Sequence, residues 1–357
     1  MISPNSRHAH VIGVGLIGGS IALALRARGW RVTGEDRNES VVTEARSAGL
    51  LDEGGLEVAT VLVVIATPAG TVLEVAREVL AGASSPELIV TDVAGVKGAI
   101  VGGLEDPRFL GGHPMAGSEQ RGWRAARADM FRGCTWVLTP TDHTRPATYT
   151  RLHGILRELG ANVVAIAAGD HDRLVALASH VPHLLAGALM NEAAEAAEQD
   201  AVLLQLAAGG FRDMTRIAAG DPSIWPDVLI ENREAVVATL DSLEERLRRL
   251  RDAISTSQRA AIADTLHDAS HARRMLPGRA LNAENLTYLR VGVSDQPGEL
   301  ARVTRAASEL LVNIYDIEIA HGIEGVSGTL LLAVDAEQAH RLIEELVSQG
   351  FVVAEET

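Results

Sequence analysis

A glycine run near the start of the chain and a histidine in a Gly–Pro setting are the residues best suited to joint chemistry. Gly13-Val14-Gly15-Leu16-Ile17-Gly18 follows the spacing G-x-G-x-x-G. In a strand–turn–helix setting the first glycine permits the tight turn, the second lets backbone approach a pyrophosphate, and the third lets helix pack on strand. Leu16 and Ile17 then open a helix whose free N–H groups and positive dipole end face the phosphates. Asp36 follows the next strand-like segment at the spacing expected for ribose hydroxyls. A carboxylate repels a 2′-phosphate, so Asp36 favours NAD over NADP. Arg37 beside it pulls the other way, because a guanidinium can pair with phosphate or stack on adenine. Thr67-Pro68 ends the apolar run Val61–Ala66 at the edge where ligands of such sheets bind, although its plain role is to stop a strand.

His113 lies in Gly112-His113-Pro114, after the strand-like Arg108–Gly111. Held there, it is a candidate acceptor for the proton of a substrate hydroxyl whose carbon loses a hydride. A surface-loop histidine would look the same in sequence. His171 and His180 are nine residues apart, half a revolution out of phase on a regular helix, so they face one site only if the helix is distorted. Lys97 is the only lysine among 32 basic residues. No metal-binding spacing of His, Cys, Asp and Glu stands out.

The elements around these residues divide the chain into three. From about Ala9 to Val164, short β-branched runs alternate with apolar helical stretches, as in a doubly wound parallel sheet of the α/β class. From about Gly169 to Met275 the strands stop and Ala/Leu-rich helices follow, a pattern suited to a dimer core. From Leu286 on, the order β-α-β-β-α-β predicts a small split sandwich. Boundaries are expected at 1–166, 167–280 and 284–357, with Pro277-Gly278 as the linker.

Composition narrows the partners. A net charge of −15 argues against nucleic acid or an anionic membrane surface. No apolar run approaches the ~18–20 residues of a bilayer span. The first residues show no signal-peptide pattern, and the one cysteine, Cys134, suits a reducing cytoplasm. An anionic substrate must therefore be gripped by local cations.

Five segments taken in order resemble the prephenate/arogenate dehydrogenase family: GVGLIGGS, GGHPMAGSE (Gly111–Glu119), HDRLVALASHVPH (His171–His183), GGFRDMTR (Gly209–Arg216) and DPSIW (Asp221–Trp225). The last part, through Asp295-Gln296-Pro297-Gly298-Glu299-Leu300, resembles an ACT domain, a small-ligand regulatory module. The resemblance implies NAD-dependent oxidative decarboxylation of prephenate to 4-hydroxyphenylpyruvate, in tyrosine synthesis, by a homodimer. It makes His113, His183 and Arg216 the catalytic set, with Arg216 gripping a carboxylate. Gly95, Glu119, His171, Gly209, Asp213 and Trp225 become substrate-site residues, Trp225 being supplied by the neighbouring subunit. The cofactor set is Gly13, Gly15, Leu16, Ile17, Gly18, Asp36, Arg37, Thr67 and Pro68. An effector, tyrosine, would bind near Gln296, Pro297, Gly298, Asn313 and Ile314. One departure stands out: the family has Ser or Thr where this chain has Gly95. Arogenate or 4-amino-4-deoxyprephenate as substrate, and a non-catalytic sensor of NAD or amino acid, remain the alternatives.

Overall fold

A computed structural model describes residues 7–117, 120–199, 202–275, 286–294, 298–321 and 327–356. Three of the expected site residues, Glu119, Gln296 and Pro297, lie outside these described residues. By contacts the described chain forms two compact units, Met1–Met190 with Ile217–Glu244 and Asn191–Arg216 with Glu245–Thr357.

The first unit begins with β1 (His8–Ile12), α1 (Leu16–Arg26), β2 (Arg31–Glu35), α2 (Glu39–Ser47), β3 (Leu62–Ile65), α3 (Ala69–Gly82), β4 (Ile89–Asp92), α4 (Gly98–Gly102) and β5 (Phe109–Pro114). It continues through β6 (Thr135–Thr139), α5 (Pro146–Glu158) and β7 (Asn162–Ala165). β3 and β4 are buried along their whole length, as central strands covered on both faces must be. The seven strands form one sheet in the order β2-β1-β3-β4-β5-β6-β7. Neighbours from β2 to β5 pair in parallel, but β6 is antiparallel to β5 and carries β7 alongside it. The doubly wound sheet is therefore mixed at one end. The chain passes from β1 to β2 on one side and returns to β3 on the other. That reversal opens a crevice at the carboxyl ends of β1 and β3, where such sheets bind ligands. Separate hydrophobic cores fill the two faces, one including Ile21, Leu25, Leu138 and Leu152, the other Val72, Leu80 and Val96.

Helices follow: α6 (Ala168–Val175), a π turn (Ala176–His180), α7 (Val181–Gln199), α8 (Leu203–Leu206) and α9 (Gly209–Thr215). After two 3₁₀ turns come α10 (Trp225–Glu231), α11 (Arg233–Ser255) and α12 (Arg259–Arg274). One expectation needs correction here. The continuous helix Ala168–Glu198 is long and apolar enough, by length and composition, to cross a membrane, with a mean hydropathy of 1.3 over an 18-residue window. Alanines and leucines spread around the helix raise the mean without forming an unbroken run. The same helix also buries His171, Asp172 and His180, which tie it to the sheet's edge.

The C-terminal part of the second unit is β8 (Leu286–Ser294), α13 (Glu299–Glu309), β9 (Ile314–His321), β10 (Ser327–Asp335), α14 (Ala336–Ser348) and β11 (Val352–Glu356). Its sheet runs β11-β8-β10-β9, antiparallel throughout. This is the expected β-α-β-β-α-β sandwich. Both helices are strongly amphipathic and cover one face, burying Val303, Ala306, Leu342 and Leu346 against Leu289, Val291, Leu330 and Leu332. Asp335 starts α14 by accepting the Glu337 N–H at 2.9 Å.

Candidate active site

The glycines of the first turn do different work. Gly13 has φ +93° and its N–H donates to the Glu35 carbonyl at 2.8 Å, stitching the turn to β2. A Cβ on Gly13 would lie 2.5 Å from the Ala66 carbonyl oxygen, and one on Gly18 would lie 2.0 Å from the Gly13 carbonyl oxygen. Both positions are closed by backbone. Gly15 is the opposite case: a Cβ there would meet nothing within 4 Å. Gly15 also caps α1 with no side chain bonded to the first turn, so the N–H groups around Leu16 and Ile17 are left for a ligand. Open approach and an uncapped helix start fit a pyrophosphate.

Asp36 sits at the mouth of this turn. Its Oδ2 accepts the Val14 N–H at 2.8 Å and its Oδ1 the Asn38 N–H at 2.9 Å, which fixes the carboxylate in place. Arg37 is exposed beside it. Across the crevice, Pro68 caps α3, and the Thr67 hydroxyl accepts from that of Thr71 at 3.0 Å. Gly19, immediately after the motif, allows Ala126 and Trp123 to pack on α1, since its Cβ would stand 3.0 Å from that of Ala126.

His113 stands near the carboxyl end of β5, half-buried, between the buried Gly112 and Pro114. Its Nδ1 is 2.8 Å from His171 Nε2, and His171 Nδ1 is 2.7 Å from Asp172 Oδ1. Asp172 in turn accepts the N–H of Lys97 at 2.8 Å and of Gly98 at 2.7 Å, at the start of α4. Asp92, ending β4, accepts the Gly112 N–H at 3.1 Å and the Ala94 N–H at 2.9 Å, and pairs with the Lys97 ammonium. Two carboxylates thus anchor the backbone on both sides of the histidine. Gly95 faces the other ring nitrogen: a Cβ on it would be 3.7 Å from His113 Nε2. His171, expected at the substrate site, is fully buried behind His113, where α6 packs against α4.

The π turn Ala176–His180 takes more residues per turn between His171 and His180 and so eases their phase conflict: both are buried. His180 Nδ1 is 3.1 Å from Asn232 Nδ2, which also donates to the Asp172 carbonyl at 2.9 Å. His183, a turn further on, stacks on Trp225 with ring centroids 3.8 Å apart and 15° between planes. Trp225 was expected to act from the neighbouring subunit, and this contact is within the chain. Asp221 caps the turn Pro222–Ile224 and so directs Trp225 back toward α7. Gly209, Asp213 and Arg216 belong to the other compact unit, where Gly209 opens α9 and both charged side chains are exposed at its end. In the C-terminal sheet domain Gly298 caps α13 at φ +100°, Asn313 is exposed, and Ile314 begins β9.

Burial sets the protonation states. His113 is pushed well below its ordinary value, first by desolvation and then by the Lys97 ammonium and the neighbouring His171 and His180. His180 is lowered to about 4, chiefly by burial. Desolvation likewise lowers Lys97, with Asp92 opposing, and lowers His183. Burial raises Asp172, but the His171 bond and the N–H groups of Gly98 and Lys97 outweigh it and leave it below the usual range. The arrangement therefore presents a neutral imidazole, backed by a carboxylate, at the edge of a nucleotide crevice. Asp92, Asp172 and Asn232 were not among the expected residues. Only Asp172, adjacent to His171, left a trace in sequence.

Comparison with known proteins agrees with this geometry. Residues 21–165 match the nucleotide-binding domain of prephenate dehydrogenase, and residues 167–268 its dimerization domain. The glycine turn precedes the matched range. A prephenate dehydrogenase of Bacillus subtilis is 30% identical over 350 residues, covering 94% of each chain. The chain belongs to the prephenate dehydrogenase family. The Aquifex aeolicus prephenate dehydrogenase, solved with hydroxyphenyl propionate and NAD+, is 30% identical with TM-score 0.71, covering 76% of this chain and 98% of that one. The Synechocystis arogenate dehydrogenase is 32% identical with TM-score 0.65, covering 74% and 98%. Members similar to this chain thus bear names for two different substrates.

Two measurements test the site as built. Gly18→Ala should lower Tm and nucleotide affinity together, because backbone closes the position. Gly15→Ala should leave Tm unchanged and weaken nucleotide binding alone, by at least about tenfold as read by calorimetry. The second concerns acid stability. A neutral His180 at about 4 when folded and ~6.5 when unfolded means that the unfolded chain binds more protons between those values. Its stabilising effect is complete above about pH 6.5 and is lost as pH falls toward 4, so His180→Gln should flatten the fall of Tm across that window.

Proposed function

We propose that the chain is an NAD-dependent prephenate dehydrogenase, oxidising and decarboxylating prephenate to 4-hydroxyphenylpyruvate for tyrosine synthesis. Membership of the family makes it an NAD-dependent dehydrogenase. The observation that carries the substrate reading is His113: a neutral, half-buried imidazole whose Nδ1 is held from behind and whose Nε2 faces Gly95.

The Gly13–Gly18 turn would hold the pyrophosphate of NAD, with Asp36 toward the ribose, and the bound cofactor would supply the hydride acceptor. As the C4 hydride leaves, the C4 hydroxyl proton passes to His113 Nε2 and C4 becomes a carbonyl. The ring carboxylate then departs as carbon dioxide, and its electron pair makes the ring aromatic, leaving a phenolate that recovers the proton. No net proton is consumed. His113 must be neutral to begin, and burial keeps it so. His183, fixed by stacking on Trp225, is assigned to substrate binding. Arg216 is assigned to a substrate carboxylate, for which a planar guanidinium is well shaped, and Gly209, Asp213 and Glu119 are assigned to substrate binding. A homodimer follows from the dimerisation domain and would cover the apolar helix Ala168–Glu198.

Gly95 supports a second substrate reading. Without a side chain there, the space beside His113 Nε2 can take a 4-amino group as well as a hydroxyl. The β-α-β-β-α-β domain is proposed to sense an amino acid, tyrosine, at the turn before α13 and the start of β9.

A panel of prephenate, arogenate and the 4-amino analogue, read by NADH absorbance, should show prephenate turned over fastest; turnover of none would remove the assignment. His113→Asn should cut kcat by about 10²–10⁴-fold with NAD affinity intact. Calorimetry of tyrosine on the full chain should show saturable binding, lost in Asn313→Ala. Absence of heat with the parent chain would leave the domain a structural role.

A further inference from the structure

We infer that Asp172 and His171 are positioning residues that fix which nitrogen of His113 carries its proton, a role that rests on His113 acting as proposed above. The directions of the hydrogen bonds can be derived from one end of the chain of contacts. Both Asp172 oxygens face backbone amides, Oδ1 that of Lys97 at 2.8 Å and Oδ2 that of Gly98 at 2.7 Å. An amide N–H only donates, so both oxygens are acceptors. Oδ1 also lies 2.7 Å from His171 Nδ1, which must then bear a proton and donate it.

A neutral imidazole with its proton on Nδ1 has a lone pair on Nε2. That nitrogen of His171 is 2.8 Å from His113 Nδ1, so His113 Nδ1 is the donor of the pair. The remaining nitrogen, His113 Nε2, is left as a bare lone pair. It is the one that faces the open side at Gly95. The acceptor needed for a hydroxyl proton is therefore specified three groups away, by two backbone amides at the start of α4.

The backbone of Asp172 is held as well. Asn232 Nδ2 donates to the Asp172 carbonyl and lies against His180 Nδ1, so α6 cannot shift without breaking both contacts. His171 is fully buried, away from bulk solvent that could offer a competing donor. The charged and titratable groups around His113 are Lys97, His171 and His180, with Asp92 and Asp172 behind them. Asp172 lies below the usual carboxylate range, and is an anion at neutral pH. With the opposite tautomer an N–H would confront the substrate O–H, and proton transfer would have no acceptor.

Histidine-labelled full-length protein, observed by long-range ¹H–¹⁵N correlation without substrate, reads the tautomer directly, His113 being assigned by its loss in His113→Asn. The expected spectrum at pH 7 has His113 protonated on Nδ1 and bare on Nε2. In His171→Leu the preference should collapse, and kcat for the substrate turned over fastest should fall on the order of 10²-fold, with KM changed less than about twofold. His171→Gln can present an N–H to Asp172 and an oxygen to His113, and should recover the tautomer and most of kcat. A packing role would not separate Leu from Gln in this way. A proton on Nε2 of His113 in the parent protein overturns the inference, as does a His171→Leu kcat within about twofold of the parent. If the parent shows the expected tautomer but oxidises no cyclohexadienyl substrate, the proposed reaction falls while the fixed tautomer of His113 stands.

Discussion

A carboxylate taken out of water must be met by donors or it does not stay ionised. Asp172 meets that condition with two backbone N–H groups and one imidazole, and much of the site is arranged around doing so. Satisfying Asp172 fixes the start of α4 relative to α6, and so joins a loop of the nucleotide fold to the first long helix. Asp92 repeats the device on the other side of His113, taking the Gly112 N–H and neutralising Lys97, the lone lysine of the chain. Breaking either cluster would strand a buried charge, which is why the histidine between them has so little freedom.

The nucleotide crevice obeys a different constraint. Gly13 and Gly18 are required by neighbouring backbone, whereas nothing in the protein requires Gly15. A residue kept small with nothing beside it leaves room for something else, and the uncapped start of α1 adjoins that room. Asp36, bonded to the Val14 amide, belongs to both roles: it braces the turn and presents a carboxylate at its mouth. The glycine turn and His113 are thus brought to one edge of the sheet, the first made by missing side chains and the second held by buried ones.

The helical segment shows how local geometry serves that edge. A regular helix would turn His171 and His180 to opposite sides. The π turn between them lets one support His113 while the other holds Asn232. Histidines on such a helix can then share a site without contacting the same group. Only 28% of the most apolar 18-residue window of the same helix is buried, so much of its apolar length is exposed.

The amino-acid sequence by itself determined the parts whose physics is local. The glycine spacing, the alternation of β-branched runs with helices and the β-α-β-β-α-β order at the end each depend on neighbours a few residues away. His113 between Gly112 and Pro114 was legible for the same reason. What only the tertiary structure decided was everything that depends on partners distant in the chain. His171 lies buried behind His113, 58 residues from that hydrogen-bond partner in sequence, because α6 packs on α4. Trp225 stacks on His183 of its own chain because a capped turn folds back. Asp92, Lys97 and Asn232 carry no spacing signal, since their work is to satisfy charges and amides that become neighbours only when the sheet is assembled.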